Sequence, residues 1–459
     1  MSKRAFVVTG LGYGDEGKGK VVHWLTAIHK AHTVVRTGGP QAFHRVVTSS
    51  GQEHVHAQFG SGTLAGAATH LSKNMVIDPY AILAEGKVLD LDFGIGSIFE
   101  RLTIHEDALV ITPFQAIANR LRELARGASK RGSVGVGVGE TITDAQALRG
   151  DVIRAKDLGK PYLFDRLLAL QERKINELKE AIELIDGLPD DVRVRARLEL
   201  TNLKSSGTVE WAIGWFAELA SKTNIVDTDY VAEKILGREG TVIFEGSQGV
   251  LLDPLYGFYP YTTKVRTISG PTLSLIKECD YDGEVTSLGV LRAYHTRHGG
   301  GPFVAECPEL TKQLPDATNG NHSWQGNFRV GCFDVVVAKY AVDACGDTLD
   351  GLVITCVDRI APLGEWKVCQ SYQDGERTIG SIPVSHKIGD KQIRNQEEIG
   401  RLLSRCQPNV DVLKITDPLF IGFQFIRDEL NIPVYAVSTG PTEKDLIEPE
   451  YQIDLGFLQ

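Results

Sequence analysis

The sequence lacks several features that would assign it to a common class of protein. Its 459 residues contain no run of about 18 apolar residues, so no membrane span is predicted. Acidic residues (59) outnumber Lys and Arg (49), and the formal net charge of -10 excludes the basic surface of a general nucleic-acid binder. The first residues, MSKRAFVVTG, lead directly into a strand-like segment without the hydrophobic region of a signal peptide.

Cysteine is scarce and scattered. The chain has seven cysteines, an odd number, and no CxxC pair. This distribution excludes a zinc ribbon and a disulfide framework, and it predicts a reduced, cytoplasmic protein.

Short apolar runs rich in β-branched residues alternate with segments of helical spacing. The runs are AFVVTG, HTVVRT, LVIT, TVIFEG and VYAVSTG, and the clearest helical segment is 163–185. This alternation predicts an α/β fold, with a central, mostly parallel β-sheet flanked by helices as in P-loop NTPases. We expect one large domain over 1–459, with a helical insertion at about 160–205.

The stretch GYGDEGKGK follows the first predicted strand and precedes a helix-like segment. Gly12, Gly17 and Lys18 fit a phosphate-binding P-loop, whose backbone N–H groups and helix N-terminus hold phosphate oxygens. Gly19 replaces the Ser or Thr that would bind Mg²⁺, which argues against a plain P-loop NTPase switch. Asp15 and Glu16 put two carboxylates where a phosphate is expected. The alternative is a tight turn carrying surface charges.

Small and polar residues follow four other predicted strands. In TGGPQAFHRVV, glycines allow close backbone approach and His44 offers a proton or hydrogen bond. In TVIFEGSQG, Gln248 is a candidate for contacting a ligand. In LVITCVDRI, Asp358 fits the aspartate that contacts guanine, but Cys356 stands where Lys is expected. VSTGPT is suited to a base or ribose edge. The glycine-rich segment 130–144 is interpreted as a ligand-approaching loop, with an ordinary glycine-rich hairpin as the alternative.

In this order, the stretches resemble the adenylosuccinate synthetase family. Residues 14–20 match the family's GDEGKGK without change. GGPQAFHR is similar to GGxNAGHT, FEGSQGVLLD to FEGAQGxxLD, and RAYHTRHGGGPF to KAYxTRVGxGPF, while VSTGP matches near the C-terminus. The resemblance extends over nearly the whole chain.

The resemblance implies a dimeric ligase of purine biosynthesis that joins aspartate to C6 of IMP, using GTP and Mg²⁺. Asp15 would take the proton from N1 of a 6-oxopurine and contact Mg²⁺. His44 and Lys18 would assist transfer of the γ-phosphoryl group to O6, and Gln248 would stabilise O6. The backbone of Phe43 would also lie at the metal. Aspartate would then displace the 6-phosphoryl group.

The same resemblance, with the strand-end pattern, gives the expected contacts to nucleotide and substrate. They are Gly14, Glu16, Gly17, Gly19, Lys20, Gly39, Gln41, Ser133, Val134, Arg149, Thr263, Arg297, Arg329, Asp358, Ser438 and Gly440.

The sequence departs from the family in the loops that contact ligands. Gln41 replaces Asn, Phe43 replaces Gly, and Val134 replaces a phosphate-contacting Thr. SWQGNFRVG occupies the place of the family's arginine-rich TTGRRRRTG. This replacement leaves Arg297 and Arg329 as candidates for binding a dicarboxylate.

Three alternatives to the IMP ligase stay open. A phage-type enzyme makes 2-aminoadenylosuccinate from (d)GMP with ATP or dATP, although its members usually lack the loop aspartate that this chain keeps as Asp15. A paralogue of secondary metabolism would act on another substrate that is 6-oxopurine-like or amide-like. A catalytically silent nucleotide-binding regulator belongs to another functional class.

Overall fold

A computed structural model describes residues 2–127, 132–148, 152–316, 319, 324, 326–387 and 389–449. Its strands are β1 (Lys3–Gly10), β2 (Thr33–Gly38), β3 (His44–Val47), β4 (Glu53–His56), β5 (Ala68–Ile77), β6 (Leu102–His105), β7 (Leu109–Val110), β8 (Asn224–Val226), β9 (Gly240–Glu245), β10 (Glu284–Arg292), β11 (His295–His298), β12 (Phe328–Gly331), β13 (Phe333–Asp334), β14 (Gly351–Thr355), β15 (Glu365–Asp374), β16 (Arg377–Ile379), β17 (Gln407–Lys414), β18 (Val434–Ser438) and β19 (Leu446–Ile447).

The helices are α1 (Lys18–His29), α2 (Pro79–Leu91), α3 (Pro113–Ala125), α4 (Val138–Leu148), α5 (Leu163–Glu177), α6 (Lys179–Glu183), α7 (Asp190–Lys204), α8 (Gly207–Lys222), α9 (Thr228–Tyr230), α10 (Gly270–Glu278), α11 (Pro308–Gln313), α12 (Val335–Cys345), α13 (Val357–Ile360), α14 (Asp390–Leu403), α15 (Pro418–Phe420) and α16 (Arg427–Leu430).

Eleven strands form the central sheet, in the order β19-β18-β14-β10-β1-β9-β2-β5-β6-β8, with β7 paired to β5. Neighbouring strands pair in parallel except β18 and β19. All five predicted strand segments lie in this sheet, so the α/β prediction is confirmed. A smaller sheet contains β13, β15, β16 and β17.

The central strand β1 is buried on both faces. Phe6 and Val8 pack with residues of α1 on one side, whereas Ala5 and Val7 pack with residues near α10 on the other. A strand covered on both faces needs apolar residues at every position, which explains the continuous run AFVV.

Two predicted boundaries differ from the structure. The helix predicted over 163–185 ends at Glu177, because Leu178 leaves helical geometry (φ -95°, ψ 5°) and is fully buried; α6 begins after it. The glycine-rich loop predicted over 130–144 becomes helical from Val138. That the helical segment at about 160–205 is an insertion into the family fold stays a prediction.

Helices α5, α7 and α8 form a layer that packs against α2 and α3. Apolar residues recur on the inner side of α5 at Leu163, Leu167 and Leu170, which are all buried. Among the described residues, no helix combines the length and apolar character needed to cross a membrane.

The topology gathers the predicted site segments at one edge. Strands β18, β14, β10, β1, β9 and β2 are neighbours and run in parallel, so their carboxyl ends lie together. In open α/β sheets, ligands bind in the crevice at this edge, where the order of strands reverses. Here the reversal is at β1, which lies between β10 and β9.

Candidate active site

The loop after β1 is shaped by the carboxylate of Glu16. Its Oε1 accepts hydrogen bonds from the backbone N–H groups of Gly12 (2.9 Å) and Gly14 (2.8 Å). Its Oε2 lies 2.6 Å from Nζ of Lys18, and both side chains are buried. Gly17 immediately precedes α1 and lies in the left-handed region (φ 92°), which glycine adopts without strain. Glu16 therefore holds the loop internally and compensates the charge of Lys18.

Asp15 points to a different group. Its backbone is also left-handed (φ 62°), and its Oδ2 lies 3.2 Å from Nε2 of His298 at the end of β11. Arg292 donates a hydrogen bond to the backbone oxygen of Asp15. Burial raises the pKa of Asp15, but the hydrogen bond from His298 and nearby positive charges outweigh it, so the net pKa is lowered. Burial lowers the pKa of His298, whereas Asp15 raises it more.

The loops after β2 and β9 approach each other closely. A Cβ atom at Gly38, whose φ is 99°, would overlap the hydroxyl of Ser247, so only glycine fits. Beyond Gly39, the side-chain amide of Gln41 is buried with no hydrogen-bond partner among the described residues. Phe43, by contrast, is half exposed.

His44, Glu245 and Arg36 form a buried charged cluster. Nδ1 of His44 donates to Oε1 of Glu245, and Nη1 of Arg36 lies 3.2 Å from the same oxygen. The backbone N–H of Ser61 donates to Oε2 of Glu245 at 3.0 Å. Burial and the Arg36 charge lower the pKa of His44 to about 4 despite Glu245. Nη1 of Arg36 also lies 3.2 Å from Nδ1, but the Glu245 contact is shorter, and a carboxylate only accepts. We therefore assign the proton of the neutral imidazole to Nδ1, and its buried Nε2 faces no described partner.

Gln248 follows Glu245 at the end of β9 and has a left-handed backbone (φ 46°). Its side-chain Oε1 is buried and has no described partner. Further along this loop, the backbone N–H of Thr263 donates to the oxygen of Leu252 (2.8 Å). The unpaired Oε1 of Gln248 is therefore available to contact a ligand.

The ends of β14 and β18 complete the edge on the other side of β1. Nζ of Lys20 donates to the hydroxyl of Ser438 and to the backbone oxygen of Gly440 (2.8 Å). Burial lowers the pKa of Lys20, although Cys356 and Asp358 oppose this. Gly19 lies beside His44. The structure thus brings Lys20 of the first loop to Ser438 and Gly440 after β18, with Cys356 and Asp358 after β14 nearby.

The glycine-rich segment lies against α3. The hydroxyl of Ser133 donates to Oδ1 of Asn119 on this helix (2.7 Å), and Val134 is half-buried. Arg149 lies outside the described residues. Ser133 thus contacts α3, and the roles of Ser133 and Val134 in binding nucleotide stay a prediction.

Arg297 and Arg329 face each other across the β11–β12 pair. The Arg297 guanidinium is buried, donates to the backbone oxygens of Gly300 (3.1 Å) and Pro302 (2.7 Å), and lies 4.3 Å from the Tyr13 ring centroid. Arg329 pairs with Glu306 at 2.7 Å and keeps a buried Nε without a described partner. Nη2 of Arg329 also donates to the backbone oxygen of Gly301 (3.0 Å), so Arg329 differs from Arg297 in its unpaired Nε, whereas Nε of Arg297 donates to Gly300.

Sequence reasoning missed four residues of this site. They are Arg36, Glu245, Arg292 and His298. Glu245 and Arg292 end strands at the ligand-binding edge, and that position is a usable signal. Arg36 lies inside β2, within a strand-like run that contains no predicted site residue. His298 lies in the motif RAYHTRHGGGPF, but the sequence does not pair it with Asp15 because the two residues are far apart in the chain.

Comparison with known proteins agrees with this geometry. The family model for adenylosuccinate synthetase matches residues 7–447. The chain belongs to the adenylosuccinate synthetase family. Members of this family are C–N ligases. A curated adenylosuccinate synthetase from Fusobacterium nucleatum is 30% identical over 458 residues, covering 95% of this chain and 97% of the relative.

Two solved structures share the fold of this family member. The fully ligated adenylosuccinate synthetase from Plasmodium falciparum has a TM-score of 0.75 at 19% identity, covering 96% of this chain and 99% of that one. The cyanophage S-2L succinoaminodeoxyadenylate synthetase, bound to dGMP and to dATP as an energy donor, has a TM-score of 0.58 at 18% identity. The second match covers 98% of this chain and 96% of the phage chain.

Proposed function

We propose that this protein joins L-aspartate to C6 of a 6-oxopurine nucleotide such as IMP, driven by a purine nucleoside triphosphate, GTP or ATP. One observation carries the proposal. Asp15, the His44–Glu245 pair, Gln248 and Lys20 surround the end of β1 at one edge of the sheet. This set provides a base, an imidazole, an amide and a cation around one crevice.

Asp15 is proposed as the base. Its pKa is lowered, so the carboxylate is ionised near neutral pH and can accept the proton from N1 of the purine. Loss of that proton makes O6 nucleophilic toward the γ-phosphoryl group, and a bond from O6 to phosphorus forms as the bond to the β-phosphate oxygen breaks. The amide of Gln248 then stabilises charge at O6.

His44 is proposed to contact the transferring phosphoryl group through Nε2. Glu245 fixes the ring through Nδ1, so the free nitrogen keeps one direction. The amino-terminal end of α1 and Lys20 add positive potential for phosphates. Lys18 contributes more weakly than its position in the motif implies, because Glu16 compensates its charge.

The donor set around Asp15 fits Mg²⁺. Mg²⁺ prefers oxygen ligands, usually one or two carboxylates together with substrate phosphates and water. The Asp15 side chain is 26% exposed and only Oδ2 faces His298, so a carboxylate oxygen remains for a metal, with the backbone of Phe43 as the second proposed contact. When bound, Mg²⁺ neutralises phosphate charge.

Arg329 is proposed to bind a carboxylate of aspartate. A guanidinium matches a carboxylate with two parallel hydrogen bonds, and the unpaired Nε of Arg329 is available for one. The aspartate amino group then bonds to C6, the C6–O6 bond breaks, and O6 leaves with inorganic phosphate.

A second substrate set is (d)GMP with ATP or dATP. It is favoured by Cys356, which stands at the Lys position of the guanine-contacting pattern and lies near Lys20. The cyanophage relative of similar fold was solved with dGMP and dATP. The retained Asp15 favours the IMP set instead.

We also propose a homodimer in the cytoplasm, as the family resemblance implies. The seven cysteines are all free, which supports a reducing compartment. Sedimentation velocity of the purified protein tests the dimer, and a monomer with full activity would contradict it.

The decisive experiment is a substrate matrix. IMP, dIMP, GMP and dGMP are each incubated with GTP, ATP or dATP, together with aspartate and Mg²⁺, and products are identified by mass spectrometry. We expect one succinylated nucleotide, and expect Asp15→Asn to abolish it, because Asn tolerates the left-handed backbone but cannot accept the proton. Nucleotide binding without product in every combination would instead indicate a regulator.

A further inference from the structure

His54, His56 and Glu85 form a cluster outside the proposed active site. The two histidines alternate with Val55 in β4, so both lie on one face of the strand. Glu85 reaches them from α2. One ligand atom of each residue lies within 4.8 Å of the others.

The distances in this cluster suit a bound ion. Nε2 of His54 and Nδ1 of His56 each lie 3.6 Å from Oε1 of Glu85. Hydrogen bonds of this kind measure about 2.7–3.2 Å, so these contacts are too long. Zinc–nitrogen bonds of about 2.0–2.1 Å place neighbouring ligand atoms roughly 3.3 Å apart in a tetrahedral site. The 3.6 Å separations from Glu85 are near this value, and all three ligand atoms lie within 4.8 Å of one another.

The imidazole nitrogens need a partner. Both ring nitrogens of His56 and Nε2 of His54 are buried and have no hydrogen-bond partner among the described residues. His56 is fully buried, so bulk solvent does not reach its ring nitrogens. Unpaired buried polar atoms are costly, and a metal ion would satisfy one nitrogen of each ring at once.

Glu85 is held as a metal ligand is held. Its Oε2 accepts from the backbone N–H of Gln58 (2.7 Å), and its Oε1 lies 3.3 Å from the N–H groups of Ala57 and Phe59. Hydrogen bonds of this kind orient ligating carboxylates in metal sites.

We propose that His54, His56 and Glu85 bind a divalent transition metal of the zinc type, separate from the Mg²⁺ of the ligase reaction. Two imidazoles and a carboxylate are ligands that Zn²⁺ accepts, whereas Mg²⁺ prefers oxygen only. Three protein ligands leave a further position for water.

The ion would join β4 to α2 behind the catalytic histidine. His56 is the direct cross-strand partner of His44 in the β3–β4 pair. Arg36, which contacts Glu245, also donates to the backbone oxygen of Ala57 (3.1 Å). The ion therefore stabilises the hairpin that carries His44, and this role does not depend on which nucleotide the enzyme uses.

The test uses the full chain without an affinity tag. The protein is dialysed against Zn²⁺ with excess Mg²⁺, washed, and analysed for zinc by atomic emission. We expect about one zinc per chain, with nitrogen and oxygen neighbours near 2.0–2.1 Å by X-ray absorption. His54→Ala should lose this zinc, while His386→Ala, which removes an exposed histidine elsewhere, should keep it. His54 is the residue to change because its buried Nε2 has no hydrogen-bond partner among the described residues.

Retention of zinc by folded His54→Ala, or no zinc in the unmodified chain, would overturn the proposal. Circular dichroism establishes the folded state of the variant. If His54→Ala fails to fold, zinc-dependent melting of the unmodified chain decides. Saturating zinc should raise its melting temperature, since an ion that binds only the folded state stabilises it. An unchanged melting temperature would overturn the site. The readouts are independent of ligase activity.

Discussion

Nε2 of His298 lies 3.2 Å from Oδ2 of Asp15, so the proposed base faces an imidazole across the crevice. The stretch RAYHTRHGGGPF resembles the family motif KAYxTRVGxGPF, which has Val at the position of His298. The pair raises the pKa of His298 and lowers that of Asp15. The imidazole therefore controls the acid pH at which Asp15 stops being a base.

The first prediction concerns His298→Val. Burial raises the pKa of Asp15, and without His298 this effect is less opposed. The acid limb of the kcat/KM profile, which reports the free enzyme, should move to higher pH. A profile measured from pH 4 to 9 checks this, with His386→Val as the control.

The same variant has a second expected signature. The raised His298 pKa contributes stability that is complete below its unfolded value of about 6.5 and is lost as pH rises through the folded value. The lowered Asp15 pKa contributes stability above its unfolded value of about 3.9, lost as pH falls through the folded value. The melting temperature of the unmodified chain should therefore exceed that of the variant by the largest amount between about pH 3.9 and about pH 6.5. The pairing of His298 with Asp15 would be refuted if the acid limbs of the two kcat/KM profiles coincide and the difference in melting temperature does not change with pH.

The second prediction concerns Glu245, which is fully buried beside Arg36. Glu245→Gln should lower the free energy of unfolding by about 3–5 kcal/mol, because removing one partner leaves a buried charge uncompensated. Urea denaturation measures the change. Glu53→Gln is the matched control, since Glu53 pairs with Arg45 at the surface and should cost at most about 1 kcal/mol. Equal losses in both variants would show that burial of the Arg36 pair is unimportant.

Much of this site could be predicted from the sequence because its residues lie where strands end. The apolar runs predicted the strands of the central sheet, and the polar residues that follow these runs lie at one edge of it. Contacts between distant segments could not be predicted in this way. The motif predicts Lys18 to be a phosphate ligand, yet Nζ of Lys18 pairs with Glu16. The residues next to His298 in the sequence do not indicate that it contacts Asp15. Such pairs depend on how β11 folds back over the edge.

The third prediction separates Arg329 from Arg297. Arg329→Lys should raise the KM for aspartate about tenfold or more and change the nucleotide KM little, because Lys cannot form the two-pronged contact. Arg297→Lys should mainly lower the melting temperature, since Arg297 holds the backbone oxygens of Gly300 and Pro302. Steady-state kinetics with each substrate varied, and thermal unfolding of both variants, check the division. The reverse pattern would exchange their roles.

The last prediction follows from the neutral state of His44. Its pKa of about 4 in the free enzyme leaves Nδ1 protonated toward Glu245 and Nε2 without a proton at pH 7. To donate from Nε2 to a phosphate oxygen, the ring must gain a proton, and the negative triphosphate favours this because a nearby anion raises an imidazole pKa. Nucleotide binding should therefore take up protons from solution. Calorimetric titration in buffers of different ionisation enthalpy measures the uptake, with His44→Gln as the variant in which it disappears. Binding that is tight in both proteins with no proton uptake in either would mean that Nε2 accepts rather than donates, and would remove the phosphate contact proposed for His44.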